Sequence, residues 1–405
     1  MPKHRILRSF MAVLLALLAL FGALLAWMYN ALPDTFYVTG ESSQLHIASM
    51  PWVTVRQGQE TVSRVDRTDP DRSQNVTLAL FGAIPVKTVR SVQVETRSVQ
   101  VGGTPFGIKM FSDGALVVAF SDQYTSLGTE NPAKEAGLKL GDLIVSAGGR
   151  AIRSNEELTQ AITAAAGRSL SLVYRRDGQE HTTTLTPVED AATGAYRAGV
   201  WVRDSSAGIG TMTFLDPLHG TFASLGHAIS DTDTGADITL LSGEIVPVMI
   251  TSCVSGTAGS PGELRGEFSA VTAGTVLAND ATGIYGSYTG PQTGQNCVVC
   301  QPQEIALGEA EIWTTVSGST PKRYTVRIER VNMTSGDPNR NLLIKVTDPE
   351  LLAATGGIVQ GMSGSPIVQN GKLVGAVTHV LVNDPTRGYG IFASTMLEKA
   401  DSVAS

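Results

Sequence analysis

The sequence predicts a mainly β chain of several domains behind one N-terminal apolar helix, and three observations carry that expectation. Its 405 residues exceed what one ordinary core organises. The second half is rich in Gly, Val and Thr, the composition of short strands joined by tight turns. From Phe10 to Tyr29 run twenty apolar residues, one Gly among them, enough to cross a bilayer as a helix.

The apolar segment has the flanks of an anchor. Lys3, Arg5 and Arg8 precede it, which keeps the N-terminus cytoplasmic and sends the rest of the chain across. A cleaved signal peptide would have a shorter apolar core and a small-x-small site after it. Here the core is long and ends in Trp27 and Tyr29, an interfacial aromatic pair, so an uncleaved anchor over residues 1–32 is expected. Hydrophobic residues make up 42% of the chain and charged ones 17%, a balance that folds. A net charge of -7 argues against a nucleic-acid partner, which needs a basic face.

The three cysteines, Cys253, Cys297 and Cys300, are too few and too odd for a disulfide framework in an exported chain. Cys297-Val-Val-Cys300 has the spacing of half a zinc ribbon or of a redox pair, but no second pair completes it. Loop cysteines with at most one local disulfide are the plainer expectation, and neither a metal nor a cofactor is predicted.

Residues 33–102 read as a polar stalk that gains strand character, with Val92 and Val94 alternating with polar neighbours. A compact unit follows at 103–190. Pro105-Phe106-Gly107-Ile108 starts a strand, and Ala115 to Phe120 is a continuous apolar run suited to a buried one. Then come Asn131-Pro-Ala-Lys-Glu-Ala-Gly-Leu138 and Gly141-Asp-Leu-Ile144. The next helix has its ends written out: Ser154 as N-cap, Glu157 completing a capping box, Gly167 closing it, and Leu158 and Ile162 on the buried face. A strand from Ser169, an Asp177-Gly178 turn and a Thr-rich strand to Leu185 complete the unit. These segments resemble a PDZ domain of the bacterial protease type. The resemblance implies a groove that takes a chain end as an added strand, with Phe106, Gly107 and Ile108 at its carboxylate-receiving turn.

After a linker at Glu189 to Tyr196, residues 195–405 read as one β-rich domain. Its clearest constellation is Gly361-Met-Ser-Gly-Ser-Pro-Ile-Val368. Gly361 lets the chain turn so that its N–H and that of Ser363 point where an oxyanion develops. Gly364 leaves room beside the hydroxyl, and Pro366 stiffens the way into the next strand. The pattern is similar to the nucleophile loop of chymotrypsin-like peptidases, which implies a double β-barrel. Gly388-Tyr-Gly-Ile391 resembles the specificity-pocket wall of that fold.

A serine needs a base to take its proton. His4 falls on the cytoplasmic side, His46 in the stalk, His181 on an outer strand, and His219, beside Pro217 and Gly220, in a turn. His227, in Ser224-Leu-Gly-His-Ala-Ile-Ser-Asp231, follows a Gly that allows close approach of another strand. It stands early in the domain and the serine late, the His-then-Ser order of a double-barrel peptidase. His379 after an apolar strand is the weaker candidate for the base. For the carboxylate that orients the imidazole, Asp348, Asp231 and Asp233 all stay open. The last two fit a solvated turn and Asp348 fits a helix N-cap.

Longer runs point to one family. They include Leu80-Phe-Gly-Ala-Ile-Pro85, Arg203-Asp-Ser-Ser-Ala-Gly-Ile-Gly-Thr-Met-Thr-Phe214, Leu225 to Asp231, Gly243-Glu-Ile-Val246, Thr355 to Ile367 and Gly375 to Val380. Together with the layout they resemble the stage IV sporulation protein B family of serine peptidases over nearly the whole chain. The resemblance implies Ser363 as nucleophile, His227 as base and Asp348 as orienting acid. It further implies a single-pass protein whose catalytic part lies between the forespore and mother-cell membranes. Such an enzyme cleaves itself and the regulatory subunit of a membrane metalloprotease, triggering maturation of a late sigma factor. The Cys297–Cys300 insert and the long first third depart from the family. Two other readings use the same residues: a PDZ quality-control protease, and a PDZ scaffold that has lost turnover. Retention of Gly361, Ser363 and His227 speaks against the scaffold.

Overall fold

The computed structural model describes residues 2–39, 45–56, 73–231, 233–235, 240–291 and 294–404, with side chains from Arg8 onward; Lys3, His4 and Arg5 lie outside the described side chains. The N-terminal helix Pro2–Ala31 is long and apolar enough, over Arg8–Ala31, to cross a membrane. Its last turn does not hang free. Met28 and Leu32 are fully buried against Phe36, Val38, Ile47, Leu78 and Val89. Lys87 donates to the Leu32 carbonyl, so a cation sits at the negative end of the helix dipole.

Those partners, Ile47 apart, belong to a four-stranded sheet in the order Thr35–Thr39, Ile84–Val94, Ser73–Leu80, Val53–Val55. The segment expected as a stalk is thus a small folded layer, although residues 40–44 and 57–72 of it lie outside the described residues. Its hairpin turns at Phe81 and Gly82, both with positive φ, which lets a two-residue turn match the twist of the strands.

Two long strands organise everything else, Pro105–Phe120 and Val200–Asp216. They run side by side for most of their length, with register shifts near Val202 and Asp204. Their far halves close a barrel: Val200–Asp216 pairs with Thr221–Ser224, which pairs with Gly283–Tyr288. From there the ring passes to Gly274–Asp280, to Leu240–Val254 and back to Pro105–Phe120. Phe106, Ile108, Met110, Phe222, Ile245 and Ile284 fill it. A second ring follows through Gly308–Thr314, Lys322–Val331, Leu342–Val346, Asp384–Phe392, Lys372–Leu381 and Pro366–Gln369. Ile312, Val326, Ile344, Met362 and Ile367 fill that one. The expected mainly β, double-barrel architecture is what the chain adopts.

The near halves of the same two strands belong to the PDZ unit. Ala115 and Leu116 pair with Leu143–Ala147, which pairs with Leu170–Arg176 and so with Gln179–Leu185. Asn155–Ala165 is the helix read from the caps: Ser154 accepts from the Glu157 N–H, and Ala166 ends it in the left-handed region before Gly167. The boundary expected at residue 103 does not coincide with a break in the sheet. Ser98–Val101 and Pro105 to Met110 pair with strands of the catalytic half, and the PDZ unit grows out of that barrel.

This corrects the groove assignment. Phe106, Gly107 and Ile108 lie within the strand Pro105–Phe120 near its start, paired with Gly210, Ile209 and Gly208 on one side and Pro247, Val246 and Ile245 on the other. A Cβ on Gly107 would stand 3.0 Å from both Val246 and Phe268. No edge is free there for an added strand. Cys297 and Cys300 are corrected too. Both are buried in the packing rather than in a loop, and all three thiols are free. Burial raises their pKa values, which keeps them protonated and inert.

Candidate active site

The segment that carries Ser363 leaves helix Pro349–Thr355 through Gly356 and Gly357, both with positive φ. It then runs extended, with Ile358 N–H on the Pro385 carbonyl and Gln360 N–H on the Gly262 carbonyl, each 2.8 Å. Between Gly361 and Ser365 it coils tightly. Met362 N–H goes to Val359 O, Ser365 N–H to Met362 O, and Gly364 N–H to Val377 O at 2.7 Å. Among the described residues, the N–H groups of Gly361 and Ser363 carry no acceptor while those of their neighbours do. Two unspent donors flanking a serine are what a developing oxyanion requires.

The loop belongs to the second barrel but is stitched to the first. Thr211 N–H donates to the Ser363 carbonyl at 2.9 Å, and its hydroxyl to the Gly361 carbonyl at 2.8 Å. Thr213 Oγ1 donates to the Gly364 carbonyl at 2.8 Å, and Ser224 Oγ to the Thr211 carbonyl at 2.6 Å. All three hydroxyls are buried. Sequence reasoning missed these residues. The only available signal was the Thr-x-Thr alternation at 211–213, which reads equally well as an outward strand face.

His227 reaches the site through two strained steps. Leu225 and Gly226 both have positive φ, and the absent side chain of Gly226 leaves space that Thr378 Cγ2 would crowd at 2.9 Å. His227 Nδ1 lies 2.7 Å from the Ala228 carbonyl. A carbonyl only accepts, so Nδ1 carries the proton and Nε2 presents its lone pair, the tautomer of a base. The His379 ring stacks at 4.6 Å from that of His227, tilted by 36°. Desolvation and the His227 ring push the His379 pKa down to about 4, which leaves His379 neutral in ordinary buffers. Ser363 Oγ donates at 2.8 Å to the carbonyl of Thr378, the residue before His379. The Ser363 hydroxyl thus bonds the residue next to His379, whose ring in turn lies against that of His227.

The three candidate carboxylates have other occupations. Asp348 is the N-cap of Pro349–Thr355, accepting from the N–H groups of Glu350 (2.9 Å), Leu351 (3.1 Å) and Thr325 (3.2 Å). Asp231 and Asp233 both bind the guanidinium of Arg203. His219 does lie in a turn, with Nδ1 2.8 Å from Asp216. Arg97 bonds Asp216 at 2.6 Å and Asp401 at 3.0 Å, so a protein cation already fills that acidic cluster and ties the C-terminal helix Ala393–Ala404 to the first barrel.

Comparison with known proteins gives a consistent result. The family described as SpoIVB peptidase S55 matches residues 194–397, and a PDZ domain matches 108–186. A putative zinc metalloprotease of Neisseria meningitidis is 31% identical over 109 residues, which is 26% of this chain and 24% of that protein. Serine protease HTRA1 of Xenopus tropicalis is 42% identical over 60 residues, covering 15% and 13%. The chain thus spans a quarter or less of the curated relatives it matches. Among solved structures, the active form of the Rv3671c protease from M. tuberculosis is 17% identical with a TM-score of 0.30, over 48% of this chain and 74% of that one. The PDZ domain of an SdrC-like protein from Listeria monocytogenes is 21% identical with a TM-score of 0.18, over 22% and 87%. With its S55 region reaching from residue 194 to 397, half of the chain, this protein belongs to the SpoIVB peptidase S55 family and is a serine peptidase with a PDZ domain.

Proposed function

We propose that the chain is a membrane-anchored endopeptidase in which Ser363 attacks the scissile carbonyl and His227 takes its proton. What supports this reading is the Ser363 hydroxyl bonded to the Thr378 carbonyl, next in the chain to His379, whose ring lies 4.6 Å from that of His227, together with two N–H groups that carry no acceptor among the described residues. In the mechanism, the hydroxyl leaves the Thr378 carbonyl and gives its proton to His227 Nε2 as Oγ attacks. The tetrahedral oxyanion is received by the Gly361 and Ser363 N–H groups, and His227 then protonates the leaving amine. The Ala228 carbonyl holds the ring tautomer throughout. Asp348 acts on this reading as a cap that fixes the start of the nucleophile segment. Labelling the purified full-length protein with a fluorophosphonate should place the adduct on Ser363. An adduct on another serine, or none, would end the assignment.

The peptide-binding groove is proposed to lie between helix Asn155–Ala165 and the start of the strand Val200–Asp216. Among the described residues, Val200 to Arg203 has a strand partner, Phe120 to Leu116, on one side only. The other side faces a cavity of about 580 Å³ lined by Leu158, Ile162, Trp201 and Val202. An extended chain end added there gains backbone hydrogen bonds on one flank and apolar contact on the other. Ile162→Asp should weaken binding of a fluorescent C-terminal peptide at least tenfold, read by anisotropy. Unchanged binding would relocate the groove.

The anchor is proposed to stay uncleaved, since Met28 and Leu32 form part of the core of the first sheet. With Lys3, Arg5 and Arg8 keeping the N-terminus cytoplasmic, the catalytic part is proposed to lie outside the cytoplasm. From family membership follow the proposed substrates: the protein itself and a membrane-associated regulatory subunit of a metalloprotease, cleaved to start a sporulation signal. Narrow cleavage with self-processing, seen by mass spectrometry of the protein's own fragments, separates this role from quality control, which would degrade casein broadly.

A further inference from the structure

The His227 loop is held both by its own barrel and from the point where that barrel meets the PDZ unit. Among the described residues between Ser224 and Leu240, two anchors of the loop stand out. Asn279 grips Ile229, accepting from its N–H at 2.8 Å and donating to its carbonyl at 3.1 Å. Asp231 is the second anchor. Its carboxylate is buried, accepts from the Asp233 and Thr234 N–H groups and the Thr234 hydroxyl, and binds Arg203 Nη1. Arg203 Nη2 reaches Asp233 at 2.6 Å. The loop turn is thereby closed around a carboxylate whose charge is met by one arginine.

That arginine stands at a particular place. It lies on Val200–Asp216 at the register shift between Arg203 and Ser205, where the strand passes from the PDZ unit into the catalytic barrel. Its neighbour Asp204 faces the other way in function. The Asp204 carboxylate accepts from the N–H of Asn155, the first residue of the groove helix, at 2.7 Å. Eight residues beyond Arg203, Thr211 holds the nucleophile loop. One strand therefore carries, in order, the groove edge, the clamp on the His227 loop, the contact with the start of the groove helix and the stitch to the Ser363 loop. A bulge is a place where a strand changes direction at low cost, so it is suited to transmit a shift of the helix to the next residue.

We propose that Arg203 is a positioning residue for catalysis: with Asp231 and Asp233 it sets the His227 loop, and through the adjoining Asp204 it makes that setting depend on the PDZ groove. The proposal rests on Ser363 and His227 being the catalytic pair. Buried charge pairs are weak sources of net stability but strong sources of geometry, because a half-broken pair leaves a desolvated carboxylate without its partner.

The test uses the full-length protein in detergent, with the rate of fluorophosphonate labelling, kcat and KM on a peptide spanning the protein's own self-cleavage site, and the thermal midpoint measured together. Arg203→Met should slow labelling and lower kcat at least tenfold with KM within twofold of wild type. Arg203→Lys, which keeps one ion pair, should recover at least a third of the rate. Asp204→Ala, which touches neither catalytic loop, should slow labelling at least threefold. Asp233→Asn breaks only the exposed pair and should cost two- to threefold, which keeps the test decisive if Arg203→Met fails to fold. Labelling of Arg203→Met and Asp233→Asn at the wild-type rate would overturn the proposal. So would a lysine variant no better than methionine with a loss that tracks the thermal midpoint. Wild type and Ser363→Ala run alongside: an unlabelled wild type would instead strike the nucleophile assignment.

Discussion

Ser363→Ala should lower kcat/KM by about 10⁴–10⁶-fold and leave the thermal midpoint nearly where it was. The change removes one hydroxyl whose single hydrogen bond goes to the Thr378 carbonyl, worth about 1 kcal/mol. The nucleophile loop keeps its shape through backbone bonds and through Thr211 and Thr213, none of which uses the serine side chain. His227→Ala should cost a similar factor, and the double variant no more than either single one, because nucleophile and base act as a unit. A residual rate that fell much further in the double variant would mean that the two side chains do not serve one step. The same assay sorts out Asp348. As a cap it should tolerate Asn and lose about 1–2 kcal/mol of stability on change to Ala. As the orienter of the imidazole it would instead lose about 10⁴-fold in kcat as Asn with stability intact. Its three backbone N–H partners lead us to expect the first outcome.

The second large effect is on folding. Gly364→Ala should destabilise the protein by several kcal/mol, on the order of 10 °C in thermal midpoint for a domain of this size. Gly364 has φ +90°, which costs a side chain about 1–3 kcal/mol. An added Cβ would also stand 2.0 Å from the Thr211 carbonyl oxygen and 2.6 Å from the Leu225 nitrogen. Both contacts are backbone, so neither can rotate away. They belong to the strand that stitches the loop and to the segment leading to His227, so relief of the clash would shift the Ser363 loop relative to that segment. Gly371→Ala is the control: it too has positive φ (+75°) but nothing within 4 Å of its Cβ, and should cost only about 1 kcal/mol. Thermal unfolding followed by circular dichroism compares them. Equal midpoints for the two variants would mean that the loop is not wedged between the barrels as described.

How much was legible in advance follows from how local each signal is. Helix Asn155–Ala165 could be read to within a residue because its caps act over three or four positions. The coil at 361–365 was readable for the same reason, its glycines being set by φ alone. The role of Phe106-Gly107-Ile108 was not. A strand buried on both faces and paired on both edges looks the same in sequence whichever sheet it joins, and its partners lie some hundred residues or more away. Asp348 shows the reverse case. An Asp before Pro-Glu-Leu-Leu reads as a helix cap by local chemistry, and its backbone contacts match that reading, whereas its expected role as orienting acid came from the family resemblance alone.

The chain's own order of residues determined the apolar N-terminal span, the capped PDZ helix, the turn that exposes a serine and the mainly β character, since each depends on neighbours within one turn or one strand. The tertiary structure alone decided that one strand would serve both groove and catalytic barrel. It alone set His379 against His227, put Thr211 and Thr213 under the nucleophile and gave the His227 loop to Arg203. Those are pairings between distant segments, and their energy exists only once two closed barrels and a PDZ unit bring the segments into contact.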